Sequence, residues 1–226
     1  RERGRVRTLF SRYVSSAVVD ALLAQPEMPR LGGQASEITV LFSDIRNFTT
    51  LSERLQPEEV VEILNRWFEG ACAILRDEGG SIDKFIGDAV MAEFGMPLAQ
   101  PDHARRAVRA ALRLAALAEE LKTWMNTRFA GRDLPDFAIG IGLHSGSAVV
   151  GNIGSSQRME YTAIGDTVNL ASRLEGVTKT LGCVVAASRA TVEKVGGGLE
   201  TGRSEILKVK GRDEAVEVFE ILGLKE

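Results

Sequence analysis

The chain predicts a mixed fold of long helices laid on a sheet that contains hairpins. Three observations lead there. Two long stretches carry apolar residues at three- and four-residue spacing. Two short apolar runs are joined through Gly87-Asp88, as a hairpin requires. Strands and helices do not alternate in a strict βαβ repeat, which argues against a doubly wound nucleotide fold. A length of 226 residues fits one domain or a domain and a half with a full core.

Residues 1–24 have helical spacing through Val6, Leu9, Phe10, Tyr13, Val14, Ala17, Val18 and Leu22. Arg1, Arg3, Arg5, Arg7 and Arg12 make this end basic. The default reading is a solvated connector, and the sharper one a juxtamembrane or coiled-coil segment that transmits a signal. Pro26, Pro29, Gly32 and Gly33 break the chain, so 1–35 is expected to connect to an upstream region and 36–226 to form the main domain.

A strand is expected at about 36–44. A helix starts at Pro57, with Glu58 and Glu59 in its first turn and Val60, Val61, Leu64, Trp67, Phe68, Ala71 and Leu75 on its apolar face; Gly79-Gly80 ends it. Strands near 81–86 and 89–94 form the hairpin. A long helix fills about 102–128, where Arg105, Arg109 and Arg113 read as a solvated stripe. A strand covers 136–144 and another begins at Val149-Val150. A helix of about 167–179 has Asp166 as its N-cap. A strand at 183–187, a short helix at 188–194 and strands at 206–210 and 216–221 complete the chain.

The net charge of −3 gives no basic surface overall, which speaks against nucleic acid as a partner. No run approaches the roughly 18 apolar residues of a membrane span. The chain starts without methionine and reads as part of something longer. It is expected to be a cytoplasmic domain whose parent could attach to a membrane through the missing region. Cys72 and Cys183 are too few for a disulfide framework and read as buried small hydrophobes in a reduced compartment.

Two aspartates carry the chemistry. Asp44 ends an apolar run, and Asp88 follows a glycine between two such runs. A pair of carboxylates brought together would hold hard divalent cations, since Mg²⁺ typically uses one or two carboxylates plus substrate phosphates. Phosphoryl or nucleotidyl transfer is the first hypothesis.

Four segments extend it. Leu41-Phe-Ser-Asp-Ile-Arg-Asn-Phe-Thr49, Asp83-Lys-Phe-Ile-Gly-Asp88, Tyr161-Thr-Ala-Ile-Gly-Asp-Thr-Val-Asn-Leu-Ala-Ser-Arg-Leu-Glu175 and Leu207-Lys-Val-Lys-Gly211 occur in that order. Together they resemble the catalytic domains of the class III nucleotide cyclases, and among them the bacterial homodimeric adenylyl cyclases. The resemblance runs from about residue 36 to 221. It implies an α+β fold with a ferredoxin-like βαββαβ core plus additional strands and helices. It also implies an adenylate cyclase that converts ATP to 3′,5′-cyclic AMP and pyrophosphate with two divalent cations, Mg²⁺ or Mn²⁺.

The resemblance assigns roles. Asp44 and Asp88 would be metal carboxylates, with the backbone carbonyl of Ile45 completing one site. Lys84 and Thr162 would contact the purine: a cationic donor suits N1 of adenine, whereas guanine calls for a carboxylate, and threonine can accept from the 6-amino group. Asn169 would hold the ribose, and Arg173 would stabilise charge on the α-phosphate with its fixed fork of donors. Lys210 would reach the β- and γ-phosphates, and Arg158 is a weaker phosphate candidate. A head-to-tail homodimer would take Asp44 and Asp88 from one chain and Lys84, Thr162, Asn169, Arg173 and Lys210 from the other. An upstream sensor of the same chain and, for the Lys84/Thr162 type, a bicarbonate or CO2 effector are further implied partners.

Other polar residues read as structural: Asp166 as the cap, His144 as a satisfied core histidine, His103 at the surface, Trp67 and Phe68 in core or interface. The rivals are a guanylate cyclase on the same fold, a silent nucleotide-binding regulatory domain, and a diguanylate cyclase or polymerase-type palm. Lys84 argues against the first, the complete metal, base and transition-state sets against the second, and nothing about the third calls for Asn169 and Arg173 at this spacing.

Overall fold

A computed structural model describes residues 4, 8–24, 30–208 and 215–225. Its elements in chain order are α1 (Ser16–Leu23), β1 (Gly32–Ile45), α2 (Phe48–Glu53), α3 (Pro57–Asp77), β2 (Ser81–Ile86), β3 (Ala89–Phe94), α4 (His103–Arg128), β4 (Ile139–Ser155), β5 (Arg158–Ile164), α5 (Asp166–Leu181), β6 (Val185–Ser188), α6 (Arg189–Val195), β7 (Leu199–Leu207) and β8 (Val216–Leu224). Among the described residues the strands form one sheet in the order β2-β3-β1-β4-β6-β8-β7, with β5 pairing to β4 beside that path. β1, β2, β3 and β4 pair antiparallel throughout, and only β4–β6 is parallel. The order β2-β3-β1-β4, with a helical crossover on each side of the β2–β3 hairpin, is the expected ferredoxin-like core.

The two faces of the sheet are filled differently. On one, α3 and α4 pack Trp67, Ile63, Leu75 and Leu114 against Leu41, Phe94, Ile139, Ile141 and Leu143, all fully buried. Each such side chain contributes about 1.5–3 kcal/mol. On the other, Ile38, Val40, Phe42 and Met91 are buried in a smaller cluster with Ala171 of α5 and Ala163 of β5. α5 comes down onto β4 because Gly142 has no side chain: a Cβ there would lie 2.2 Å from the Glu175 nitrogen and 2.5 Å from the Ala171 oxygen.

Several elements match their expected positions. α3 starts at Pro57 with a capping box, in which Gln56 N donates to Glu59 Oε2 at 2.9 Å. Gly87, at φ 62°, turns the β2–β3 hairpin, whose last rung is Ile86–Ala89. His144 is buried with Nδ1 2.7 Å from Ser188 Oγ. Trp67 is fully buried, and Phe68 stacks on Phe85 at 4.2 Å.

Others differ. Within 8–24 the helical run is interrupted at 11–15, where Ser15 has extended backbone (ψ 132°) ahead of α1. β1 begins at Gly32, because its first residues pair with Val149–Asn152. The strands expected at 136–144 and 149–150 are one strand, β4, which β1 holds straight through Ser145–Ala148. α2 and β5 were not expected at all. Asp166 is the first residue of α5 and its N-cap is Gly165, so Asp166 acts through its charge in the first turn. His103 is buried, 2.7 Å from Thr39 Oγ1, not at the surface. The arginine stripe is not simply solvated. Arg109 and Arg113 clasp the buried Glu78 at 2.6 and 2.9 Å, and Arg105 donates to the Gly197 carbonyl at 3.0 Å.

Candidate active site

The metal candidates come together as the sequence suggests. Asp44 sits near the end of β1 and Asp88 in the turn between β2 and β3, two strands away from β1 and next to it respectively. The Ile45 N–H donates to both, at 3.0 Å to Asp44 Oδ1 and 3.1 Å to Asp88 Oδ2. Burial, then contact with the Asp44 carboxyl and its charge, push Asp88 up to about 7. Two carboxylates that share one donor, with Asp44 raising the cost of ionising Asp88, fit a hard cation, which would supply a positive charge. Among the described residues no group of three or more His, Cys, Asp or Glu is arranged to hold a metal. Two carboxylates and a backbone carbonyl leave the remaining ligands to water and substrate phosphates.

Glu175 of α5 stands behind this pair. Its Oε1 is buried without a partner, 2.7 Å from where a Cβ of Gly140 would be, and Gly140 is the rung partner of Asp44. Burial first, and the Asp44 charge second, raise its carboxyl above the usual range. Arg46 points away and donates to the Cys183 carbonyl.

A second cluster gathers Lys84 and Thr162. The β2–β3 register slips between Ile82 and Lys84, so Asp83 is the extra residue of a bulge, a device that re-aims side chains. Lys84 Nζ lies 2.6 Å from Glu160 Oε2 and 3.8 Å from Asp83 Oδ1. The hydrogen bond to Glu160, with the Asp83 charge, holds the ammonium above its ordinary value, while Lys84 lowers Glu160. Thr162 is buried and donates from Oγ1 to Asp83 Oδ2. Glu160 and Thr162 share one face of β5, two residues apart.

Asn169 and Arg173 are placed by α5 itself. They are four residues apart and exposed, while Leu170, Ala171 and Leu174 between them are buried. Arg158, at the start of β5, is exposed too. Lys210 lies outside the described residues.

Sequence reasoning missed Asp83, Glu93 and Glu160. The bulge that aims Asp83 has no sequence signature. Glu160 becomes readable once Arg158-Met-Glu-Tyr-Thr-Ala-Ile164 is recognised as alternating. Glu93 did leave a mark, as a lone acid inside the apolar run Ala89–Phe94.

The family model for the adenylate and guanylate cyclase catalytic domain matches residues 32–223. Adenylate cyclase 1 of Rhizobium meliloti (strain 1021) is 40% identical over 218 residues, which are 95% of this chain and 32% of that protein. Adenylate cyclase of Anabaena cylindrica is 32% identical over 217 residues, 94% of this chain and 42% of that protein. The chain thus spans 32% to 42% of the length of these curated relatives. Among solved structures, the guanylyl cyclase Cya2 superposes with a TM-score of 0.79 at 34% identity, covering 87% of this chain and 96% of that one. The adenylyl cyclase CyaB from P. aeruginosa gives 0.77 at 34% identity, covering 86% and 98%. With a match across almost its whole length, the chain belongs to the adenylate and guanylate cyclase catalytic domain family.

Proposed function

We propose that this domain is an adenylate cyclase, forming 3′,5′-cyclic AMP and pyrophosphate from ATP. The observation that carries the choice of base is the meeting of Lys84 and Thr162 on neighbouring sides of one cluster. Lys84 supplies a donor for adenine N1, and Thr162 an acceptor for the 6-amino group. In the reaction the ribose 3′-oxygen bonds to the α-phosphorus, the bond from that phosphorus to the β-phosphate oxygen breaks, and the hydroxyl proton leaves to solvent. Asp44, Asp88 and the Ile45 carbonyl would hold the cations, which when bound lower the pKa of the hydroxyl and neutralise the phosphates. Asn169 orients the ribose. Arg173 donates to the α-phosphate oxygens where charge builds up. Lys210 holds the terminal phosphates.

Two chains are needed in this reading. Each site takes Asp44 and Asp88 from one copy and Lys84, Thr162, Asn169, Arg173 and Lys210 from the other, head to tail. Supporting it, Phe85 and Ile86 of the β2–β3 hairpin and Ile164 of β5 are between 46% and 52% exposed, apolar side chains that a second copy could cover. The upstream part of the parent protein would supply the signal, and a bicarbonate or CO2 effector is an added element to assay.

Comparing cyclic product from ATP and GTP, with Mg²⁺ and with Mn²⁺, tests the function; preference for GTP overturns it in favour of guanylate cyclase. Mixing tests the shared site. Asp44→Ala and Arg173→Ala should each be nearly inactive, and together should recover part of the activity through heterodimers with one intact site. Confirmed heterodimers without recovery would sink the two-chain site.

A further inference from the structure

We propose that Glu93 and Asp83 fix the hydrogen-bond polarity of Thr162, and so make the site selective for a purine bearing an amino group at position 6. The inference rests on the reading of Lys84 and Thr162 as base contacts, and gives it a mechanism one layer deeper.

Glu93 is fully buried in the middle of the sheet. It stands opposite Val40 on β1 and Ser81 on β2, on the face of the sheet that carries Met91 and turned away from the α3–α4 core. Neither of its carboxyl oxygens receives a hydrogen bond. The neighbour it meets is Asp83, whose side chain is only 2% exposed. Two buried carboxyl groups in contact cannot both ionise. The proton belongs to Glu93, because the Lys84 ammonium lies 3.8 Å from Asp83 and favours its charge. Burial, with Asp83 beside it, accordingly pushes Glu93 well above the carboxylate range. As a carboxylic acid Glu93 has one proton to donate, and Asp83 is the acceptor at hand.

With the proton on Glu93, Asp83 can only accept. Thr162 Oγ1 donates to it, and the Glu93 acid proton would donate from the other side. A threonine hydroxyl has one proton, and here it is committed inward. What Thr162 offers the base is lone pairs. Those accept from a 6-amino group and have nothing to give a 6-oxo group. A free hydroxyl would rotate and serve either. Asp83 and Glu93 touch no substrate atom: they are positioning residues, acting through Thr162. Glu160, the other acid of the cluster, sits on Lys84 and does not bond Thr162.

The test uses ATP and ITP, which carries a 6-oxo group and lacks the 2-amino group of GTP. In Asp83→Asn the neutral Glu93 still donates to the amide oxygen, so the amide N–H₂ faces Thr162 and its hydroxyl proton turns to the base. The ratio of kcat/KM for ATP over ITP should fall at least about tenfold. Asp83→Ser, with a hydroxyl free to donate, is the second variant should the first not fold, with the same expectation. Glu93→Gln keeps a donor toward Asp83 and should hold the ratio within about twofold. In a Thr162→Val background Asp83→Asn should no longer move the ratio. An infrared band of a protonated buried carboxyl should be present in the wild type at pH 8 and absent in Glu93→Gln. Equal losses on both nucleotides in Asp83→Asn, or no such band, overturns the relay. A wild type that makes no cyclic product from ATP overturns the functional reading instead, which the same assay registers separately.

Discussion

The two acidic clusters of this domain are built on opposite electrostatic terms. At the end of β1, Asp44 and Asp88 face each other across one N–H, and neither has a cation in reach among the described contacts. In the other cluster, Asp83, Glu93 and Glu160 lie around Lys84 and Thr162, and Lys84, Asp83 and Glu160 each have a partner. The first cluster is a socket whose own groups repel until something positive arrives. In the second, Lys84 is already held by Glu160, so under the proposed function the base would have to take Lys84 from Glu160. On that reading, affinity for metal and phosphate would be stored as repulsion, while base selectivity would be set by which group can substitute for an existing hydrogen bond.

The comparison can be broken most forcefully at the socket. Asp88→Ala or Asp44→Ala should cut kcat by about a thousandfold or more, as several kcal/mol of charge stabilisation are lost. Yet the metal-free protein should melt no lower than the wild type at neutral pH, because a repulsion has gone. A large drop in thermal stability together with activity would mean that the pair is structural. Next in size is Lys84→Met, which should lower kcat/KM for ATP by about ten- to a hundredfold, read by steady-state kinetics, while leaving metal-dependent stabilisation intact.

A pH titration sharpens the contrast. Asp88 rises from its ordinary 3.8 to about 7 on folding, so the folded state holds a proton that the unfolded chain releases. Its contribution to stability is fully present below about pH 4 and is lost as pH climbs through about 7. Thermal melts of chelated protein should decline over that window. Mg²⁺ or Mn²⁺ should reduce the slope, and so should Asp88→Asn. The smallest effect belongs to the exposed end of the second cluster. Glu160→Gln releases Lys84 from a half-exposed ion pair, so the KM for ATP should fall by no more than about fivefold with kcat unchanged.

How much of this was legible depends on the range of the forces involved. Asp44 and Asp88 could be read because an acid at the end of an apolar strand is a local anomaly. The hairpin that carries Asp88 and the start of α3 at Pro57 follow from turn and cap chemistry within a few residues. The roles of Lys84, Thr162, Asn169 and Arg173 came from resemblance, since nothing local separates them from surface residues. What stayed hidden depends on partners far along the chain. Ser145–Ala148 has no apolar alternation, and only pairing with β1 makes it strand. His103 looks exposed until Thr39 is folded against it. Arg109 and Arg113 look solvated until Glu78 arrives at the end of α3. Asp83 depends on a bulge, and Glu93, the one oddity visible in its strand, needed Asp83 beside it to acquire meaning.

The β1–β4 ladder has a kinetic corollary. Its rungs run from Ile45–Ile139 to Gly32–Asn152, so every one closes a loop of roughly a hundred residues, and β1 lies at the centre of the sheet. Local pieces, the β2–β3 hairpin and the long helices, can form in microseconds, but this ladder cannot zip until they have shortened the path. Asp44 rides on its last rungs, opposite Gly140. Asp44 is accordingly fixed opposite Gly140 only once this long-range ladder has formed. A cation held by Asp44 and Asp88, as proposed above, would bind the folded chain and favour it by mass action.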